Sequence, residues 1–276
     1  MTSWIRVQPK KLVEQEKGFL FETFDSDACS NFNQYLYAYV YSVAQGRTLN
    51  VYDKSNNISV RYPLIQSTFS DMSGVQYTDS MPATASSTVK QLPRIIAHVR
   101  AQPPQALRQV AQSLFQWNPV FVNSIRESIA KVKLPGEIDL AVSLHVGNDP
   151  RATSVDEIVR AVKKFQTASK KSTLNIFVMK DNAARMTEFA KKADPAWTIY
   201  TLPIPTVDIG QRQSSRTAER DRIAMHTYAM AEVFLVKNIP NIICSFANSV
   251  GQFLYMTVEK PERIISMGMS KFEITM

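Results

Sequence analysis

The sequence of 276 residues is poor in glycine, and this scarcity excludes several kinds of nucleotide site. Its eight glycines are so dispersed that no two lie within ten residues of each other. A Walker loop and the glycine-rich turn of dinucleotide-binding proteins both need closely spaced glycines, so neither is present. The Gly-x-Ser-x-Gly nucleophile motif of α/β hydrolases is absent as well.

Histidine, cysteine and long apolar runs are also scarce. The three histidines are far apart, which excludes a His-Glu-x-x-His zinc motif, and with only two cysteines we expect no metal site. Two cysteines cannot form a disulfide framework, which favours a reducing compartment. Because no apolar run reaches about 18 residues and the first residues lack a signal-peptide core, we expect a cytoplasmic protein without a membrane span.

The charge balance favours an anionic partner. Lysine and arginine outnumber the acidic residues by 32 to 24, a net charge of +8. Nucleic acid, an acidic membrane surface or a phosphorylated substrate would each fit, and so would a charge that serves only solubility. A nucleic-acid-binding surface would interleave basic residues with exposed aromatic ones. The aromatic residues here fall mostly in apolar stripes or strands, so we expect no nucleic-acid partner.

The first part of the chain reads as a mixture of helices and a strand. The pattern predicts helices at 31–45, 104–117 and 120–132, a strand at 47–53 and a long surface loop at 66–90. Pro119 is predicted to close the second of these helices. The alternating tyrosines of the first helix favour helix packing over a sugar-binding platform: Tyr35, Tyr37, Tyr39 and Tyr41.

After residues 134–137, apolar runs of strand length alternate with helical segments. This alternation predicts a parallel sheet covered on both faces, and hence an α/β fold. A capping box at Ser154 and Glu157 opens one of the helices. We predict two domains, 1–133 and 134–276. The predicted strands of the second are 139–146, 173–179, 197–203 and 241–246, and its helices are 155–168, 182–193, 214–237 and one that follows the last strand.

Polar residues follow three of these predicted strands, at 145–151, 180–182 and 244–251. Ligands of open parallel sheets bind beyond the carboxyl ends of the strands. In the third segment, Ser245, Asn248 and Ser249 lie at or just before a helix start, where free backbone N–H groups and the helix dipole attract anions. Ordinary N-capping explains one such residue, whereas three around one turn favour a phosphate site.

Two further groups have alternative interpretations. His145 is either a hydrogen-bonded residue at a strand end or part of a ligand site. The cluster of Arg212, Arg216, Arg220 and Arg222 is either a solvated helix face or a mobile basic lid over a diphosphate.

Four segments of the chain, in order, resemble α-1,6-fucosyltransferases. CSFANSVGQFLY (244–255) resembles the segment CTFSSQVCRVAY of that family without gaps. LAVSLHVGND (140–149) resembles the GVHVRRxD motif that protein O-fucosyltransferases share, and NIFVMKDN (175–182) is similar to the next strand, VYLATDDP. CSNFNQYLYAYVYSVAQGRTLNVYD (29–53) resembles the first loop, helix and AxxRTL strand of the same enzymes.

The resemblance implies an inverting, metal-independent glycosyltransferase of the GT-B type, with two Rossmann-like, doubly wound domains that face a cleft. A nucleotide-diphosphate sugar would bind the C-terminal domain, and a glycan acceptor would enter the cleft. By position, Ser245, Asn248 and Ser249 would hold the diphosphate, Asp181 and Glu232 would contact the base or ribose, His145 would border the donor, and Phe32, Asn33 and Gln34 would line the facing loop.

The chain departs from the family at one position. The family has an arginine two residues after the motif histidine, where it steadies the leaving phosphate, and this chain has Gly147. Arg151, Arg212 or Arg216 would have to replace it, and a glycan-binding protein without catalysis stays an alternative. The compact size resembles bacterial or viral members, which would place a viral protein in the host cytoplasm. The chain also resembles chlorovirus β-xylosyltransferases that act on capsid glycans, and this resemblance favours UDP-xylose as the donor, with GDP-fucose as the alternative.

Inverting transfer also needs a base that takes the proton of the acceptor hydroxyl. Asp149 follows a strand of the predicted donor domain, and Asp27 precedes the N-terminal loop 29–34. We prefer Asp149 because it lies in the motif that borders the donor in the resembling enzymes. Since Pro150 follows it, Asp149 also suits a simple turn.

Overall fold

The computed structural model describes residues 19–22, 28–52, 65, 68–70, 72, 74–77, 86–145, 153–180, 183–203, 219–267 and 272. Residues 19–130 of this set form the N-terminal part, and residues 140–267 form the C-terminal part. Each part contains one parallel sheet with helices around it. Among the described helices, none combines the length and the apolar character that a membrane crossing requires.

The N-terminal part contains a four-stranded sheet in the order β3-β2-β1-β4, with every described pair parallel. Its strands are β1 (Phe19–Glu22), β2 (Leu49–Tyr52), β3 (Val75–Tyr77) and β4 (Ser86–Ser87). Its helices are α1 (Ala28–Ala44), α2 (Thr88–Arg100), α3 (Pro104–Leu114) and α4 (Pro119–Ala130).

The C-terminal part contains a five-stranded parallel sheet in the order β7-β6-β5-β8-β9. Its strands are β5 (Leu140–Ser143), β6 (Leu174–Met179), β7 (Trp197–Tyr200), β8 (Ile242–Ser245) and β9 (Ile264–Met267). Its helices are α5 (Val155–Ser169), α6 (Ala183–Lys192), α7 (Glu219–Val236) and α8 (Ser249–Thr257). From β5 the chain builds β6 and β7 on one side, and it then returns to build β8 on the other side of β5. The strand order therefore reverses between the paired strands β5 and β8.

The predicted alternation of strands and helices in the C-terminal part is confirmed. All four residues of β5 and of β8 are buried, as expected for central strands covered by helices on both faces. The predicted capping box is present as well. The Ser154 hydroxyl accepts a hydrogen bond from the Glu157 N–H, and the Glu157 carboxylate accepts one from the Ser154 N–H.

The prediction that Pro119 closes a helix is wrong. The α3 helix ends at Leu114, and Pro119 is the first residue of α4. The Asn118 side chain caps α4 by accepting a hydrogen bond from the Val120 N–H, 2.9 Å away. Proline suits this first position because it lacks an N–H and its φ is already helical.

The prediction of one surface loop over 66–90 is also wrong. This stretch contains β3, β4 and the start of α2. Phe69 is buried in the aromatic core and forms an antiparallel bridge with Trp117. The apolar pattern missed β3 and β4 because they have two or three residues each and are rich in polar side chains.

The α8 helix joins the two parts of the chain. It follows β8 directly, yet its apolar side packs on α1 and α3, where Phe253 meets Phe32 and Phe115. At its C-terminal end, Arg108 of α3 donates hydrogen bonds to the carbonyl oxygens of residues 255, 258 and 259, at 2.9, 2.6 and 3.1 Å. A guanidinium suits this end because the last carbonyls of a helix lack partners within it.

A buried histidine forms a second link between the parts. The Nε2 atom of His226 on α7 lies 2.8 Å from the Thr68 hydroxyl, and the ring stacks on Phe121 of α4. Burial lowers the pKa of His226 to about 3, because the low-dielectric interior disfavours the charged imidazolium. The imidazole is therefore neutral in the folded protein at physiological pH.

One glycine permits the close approach of β8 and α8. A Cβ atom at position 251 would lie 1.9 Å from the carbonyl oxygen of Ser245 and 2.7 Å from its carbonyl carbon. Both atoms belong to the backbone and cannot rotate away. Gly251 therefore allows the first turn of α8 to sit directly on the end of β8.

We expect Gly251→Ala to lower the free energy of unfolding by about 1–3 kcal/mol, because the added methyl group overlaps backbone atoms. Urea denaturation of both proteins measures this change. Gly136→Ala is the matched control, since a Cβ there meets no atom within 4 Å. Equal losses in the two variants would contradict the close-approach argument.

We expect His226 to make the protein sensitive to mild acid. Its pKa in the unfolded chain is near 6.5 and falls to about 3 on folding. The unfolded chain therefore binds the extra proton, and stability is lost as the pH falls below about 6.5. Between pH 7 and pH 5, the free energy of unfolding should drop by about 2 kcal/mol more in the wild type than in His226→Gln. The variant Ser113→Ala, at an exposed serine of α3 that does not titrate, is the control and should keep the wild-type slope.

Candidate functional site

The turn between β8 and α8, residues 245–249, lies where the strand order of the C-terminal sheet reverses. The Ser245 hydroxyl accepts a hydrogen bond from the Ala247 N–H at 3.2 Å. The Asn248 side chain accepts one from the Gly251 N–H at 2.8 Å and donates one to the His145 carbonyl oxygen at 2.8 Å. The turn is therefore fixed both within itself and to the residue that follows β5.

The structure brings Ser245, Asn248 and Ser249 together at the start of α8, and it separates their roles. Asn248 is the N-cap of the helix and uses both ends of its amide for protein contacts. The N-capping interpretation therefore holds for this residue. Ser249 is half-buried and begins the helix. The first-turn N–H groups of a helix lack carbonyl partners within it, and the dipole there is positive, so this end can receive an anion.

His145 borders this turn. It lies two residues after the end of β5 and is half-buried. Its Nδ1 atom is 3.2 Å from the Ser143 hydroxyl. Its carbonyl oxygen is the atom that Asn248 holds. Cys244 also lies beside the turn, but burial raises the pKa of its thiol to about 12, so this thiol stays protonated and unreactive.

A second polar group lies at the carboxyl ends of β6 and β7. Glu232 of α7 is only 1% exposed, and its Oε1 atom lies 2.9 Å from the Tyr228 hydroxyl. The same atom accepts a hydrogen bond from the Lys180 N–H at 3.4 Å. The Lys180 ammonium in turn donates to the Thr201 hydroxyl at 3.1 Å.

Sequence reasoning identified Glu232 but missed Lys180, Tyr228 and Thr201. The available signal for Lys180 was its position directly after a buried strand, where Asp181 alone was selected. Tyr228 precedes Glu232 by one helical turn, a spacing that places both side chains on one face of a helix. Nothing in the sequence indicated Thr201, because its contact with Lys180 depends on the pairing of β6 with β7.

The predicted N-terminal loop 29–34 is part of a helix, because α1 begins at Ala28. Phe32 is fully buried among Phe69, Phe115 and Phe253, so it belongs to the core and does not line a surface. Asn33 is buried and donates a hydrogen bond to the Ser249 carbonyl oxygen at 2.9 Å. Gln34 is half-buried.

Six predicted site residues lie outside the described residues: Asp27, Asp149, Arg151, Asp181, Arg212 and Arg216. Within the described part of the same sheet edge, Lys180 and Arg185 carry positive charge. Arg185 donates a hydrogen bond from Nη2 to the Thr153 carbonyl oxygen at 2.8 Å. This bond holds the guanidinium beside the residue that precedes the N-cap of α5. In the described part of the chain, no group of three histidine, cysteine or acidic side chains could hold a metal ion.

No protein-family model matches the chain, and no curated protein matches it significantly. The fold, by contrast, is similar to that of solved structures. The fucosyltransferase NodZ from Bradyrhizobium has a TM-score of 0.58 at 12% identity, covering 91% of this chain and 96% of its own. NodZ α-1,6-fucosyltransferase co-crystallised with GDP has a TM-score of 0.56 at 13% identity, covering 91% and 95%. A variant of FUT1 from Arabidopsis thaliana in complex with GDP has a TM-score of 0.50 at 8% identity, covering 88% and 69%.

These likenesses extend over about nine-tenths of the chain. At 8–13% identity they establish the fold alone. The predicted fold class is confirmed: the chain has an α/β fold of the GT-B type, as the fucosyltransferases have.

Proposed function

We propose that this protein is an inverting, metal-independent glycosyltransferase that moves one sugar from a nucleoside-diphosphate sugar to a glycan acceptor. The observation that supports this most is the turn at residues 245–249. It places a serine-containing helix start where the strand order reverses, which is the usual ligand position in open α/β sheets. The likeness in fold to fucosyltransferases supports the same class of reaction.

The proposed donor site extends from this turn along the carboxyl edge of the sheet. The diphosphate lies at Ser245 and Ser249, where the helix dipole and hydroxyl groups stabilise its charge. The base and ribose lie toward Glu232 and Asp181. The additional positive charge comes from Arg151, Arg212 or Arg216, which supply it in place of a metal ion. We also propose that residues 1–133 and 134–276 are the acceptor-side and donor-side domains.

Two donors are the candidates for this site. GDP-fucose is the first, because the similar NodZ structures were obtained with GDP and after soaking with GDP-fucose. UDP-xylose is the second, because Gly147 stands where the resembling fucosyltransferases have their phosphate-binding arginine. Release of free or transferred sugar from each donor, with and without a glycan acceptor, distinguishes the two.

The same glycine favours one other function, glycan binding without transfer. A protein of that kind would bind oligosaccharides and release no sugar from any nucleotide donor. The sugar-release assay therefore separates it from the transferase as well.

We expect GDP or UDP to bind at residues 245–249 without a divalent metal. Ser249→Ala should weaken diphosphate binding by about 1–2 kcal/mol, because the phosphate loses a charge-assisted hydrogen bond. Isothermal titration in buffer with EDTA, and again with manganese, measures the affinity and its dependence on metal.

Ser113→Ala is the matched control for this experiment, because it removes an exposed helical serine on α3. It should bind the diphosphate as the wild type does. Binding that appears only with manganese would contradict the metal-independent mechanism, and undiminished binding by both Ser245→Ala and Ser249→Ala would contradict the placement of the diphosphate.

We expect one aspartate to act as the base. Asp149→Asn, or failing that Asp27→Asn, should bind the nucleotide normally and lose transfer by about 100-fold or more, because the acceptor hydroxyl keeps its proton. Turnover with a fixed acceptor, measured beside nucleotide affinity, separates catalysis from binding. Asp156→Asn, an exposed residue on α5, is the control. Near-full turnover in both test variants would mean that another group, such as the departing phosphate, takes the proton.

A further inference from the structure

A buried tyrosine of the N-terminal part reaches the turn at residues 245–249 through one glutamine. The Tyr37 hydroxyl of α1 donates a hydrogen bond to Oε1 of Gln252 on α8 at 3.2 Å. The Nε2 atom of Gln252 donates to the Phe246 carbonyl oxygen at 3.2 Å. Both side chains are buried, with exposed fractions of 2% and 3%. The two parts of the chain are thus connected by a path of two hydrogen bonds.

The chemistry of the path fixes its direction. The Phe246 carbonyl can only accept, so the amide nitrogen of Gln252 must face it and the amide oxygen must face Tyr37. Burial raises the pKa of Tyr37 above its usual range, which keeps the hydroxyl protonated and able to donate. Each group therefore has one role in the path.

The path holds one particular peptide unit of the turn. The Phe246 carbonyl accepts from Gln252, and the N–H on the other side of the same peptide, that of Ala247, donates to the Ser245 hydroxyl at 3.2 Å. With both ends held, the peptide plane cannot rotate. A half-turn of this peptide would bring the Phe246 carbonyl oxygen to the side where the Ala247 N–H now meets the Ser245 hydroxyl, and a carbonyl oxygen beside this proposed phosphate ligand would repel an anion.

We propose that Tyr37, acting through Gln252, is a positioning residue that fixes the orientation of the 246–247 peptide and so keeps the turn preformed for a diphosphate. This inference rests on the proposed function, because the turn is the proposed diphosphate site. A second contact supports it, since Asn33 of the same helix holds the Ser249 carbonyl. These contacts tie the turn at residues 245–249 to α1, so the turn itself needs no rearrangement when the ligand binds.

The test compares Tyr37→Phe with Tyr41→Phe. Each change removes one hydroxyl from α1, and Tyr41 contacts His98. Hydrogen exchange of the ligand-free proteins is measured by mass spectrometry on peptides that cover residues 246–252. We expect roughly tenfold faster exchange there in Tyr37→Phe, and wild-type exchange in Tyr41→Phe.

Affinities for a nucleoside diphosphate and for the corresponding nucleoside supply the second measurement. Tyr37→Phe should bind the diphosphate roughly fivefold to tenfold more weakly and the nucleoside with unchanged affinity, because the nucleoside does not contact the turn. Gln252→Met should show the same pattern. The double variant should be no weaker than the weaker single variant, because both changes break one path.

Three outcomes would overturn the inference. They are unchanged exchange at residues 246–252 in both Tyr37→Phe and Gln252→Met, faster exchange spread equally over β5 and β6, and equal losses of diphosphate and nucleoside affinity. If the wild type binds no diphosphate, the proposed function is wrong, and the inference that the turn is preformed for a diphosphate falls with it. The exchange rates would then still show whether Tyr37 holds the peptide.

Discussion

The rest of the structure depends on the hydrogen bonds by which the N-terminal part fixes both ends of the helix α8. Arg108 satisfies carbonyl oxygens at the C-terminal end of this helix, and Asn33 holds the Ser249 carbonyl at its start. A buried guanidinium is costly unless its N–H groups are paired, and here three hydrogen bonds to carbonyls offset that cost. Because only residues 246–248 separate β8 from α8, contacts that fix the helix also fix the carboxyl end of β8. The two parts of the chain are therefore joined at the same helix that begins the candidate site.

The C-terminal elements were predictable because their signals are local. The apolar run that contains β5 and the capping box of α5 each specify one element within a few residues. The wrong predictions concern segments whose local sequence pattern does not determine the structure. Proline suits both the end of one helix and the start of the next, so Pro119 alone could not decide between them. The strands β3 and β4 exist only because they pair with β2 and β1, and such pairing leaves no periodicity in two or three residues.

The same distinction applies to the candidate site. A strand end followed by a helix start is a local pattern, which is why the cluster of Ser245, Asn248 and Ser249 could be selected from the sequence. Their separate roles depend on contacts across the fold. Asn248 caps α8 with its side-chain oxygen, and its side-chain nitrogen donates to the carbonyl oxygen of His145, which follows the neighbouring strand β5. The group around Glu232 also depends on tertiary contacts, because Lys180 and Tyr228 reach that carboxylate from different elements.

The scarcity of glycine excludes a glycine-rich phosphate loop, and the structure shows what fixes the turn at residues 245–249 instead. Such loops use glycine to let the backbone adopt unusual angles and approach the ligand closely. Among the four described glycines, Gly251 alone permits a close backbone approach, and it lies inside α8, where that helix meets the end of β8. The conformation of the turn itself is fixed by side chains, with Ser245, Asn248 and Gln252 each holding a backbone group. A turn held in this way owes its shape to both parts of the chain, whereas a glycine loop owes its shape to local backbone freedom alone.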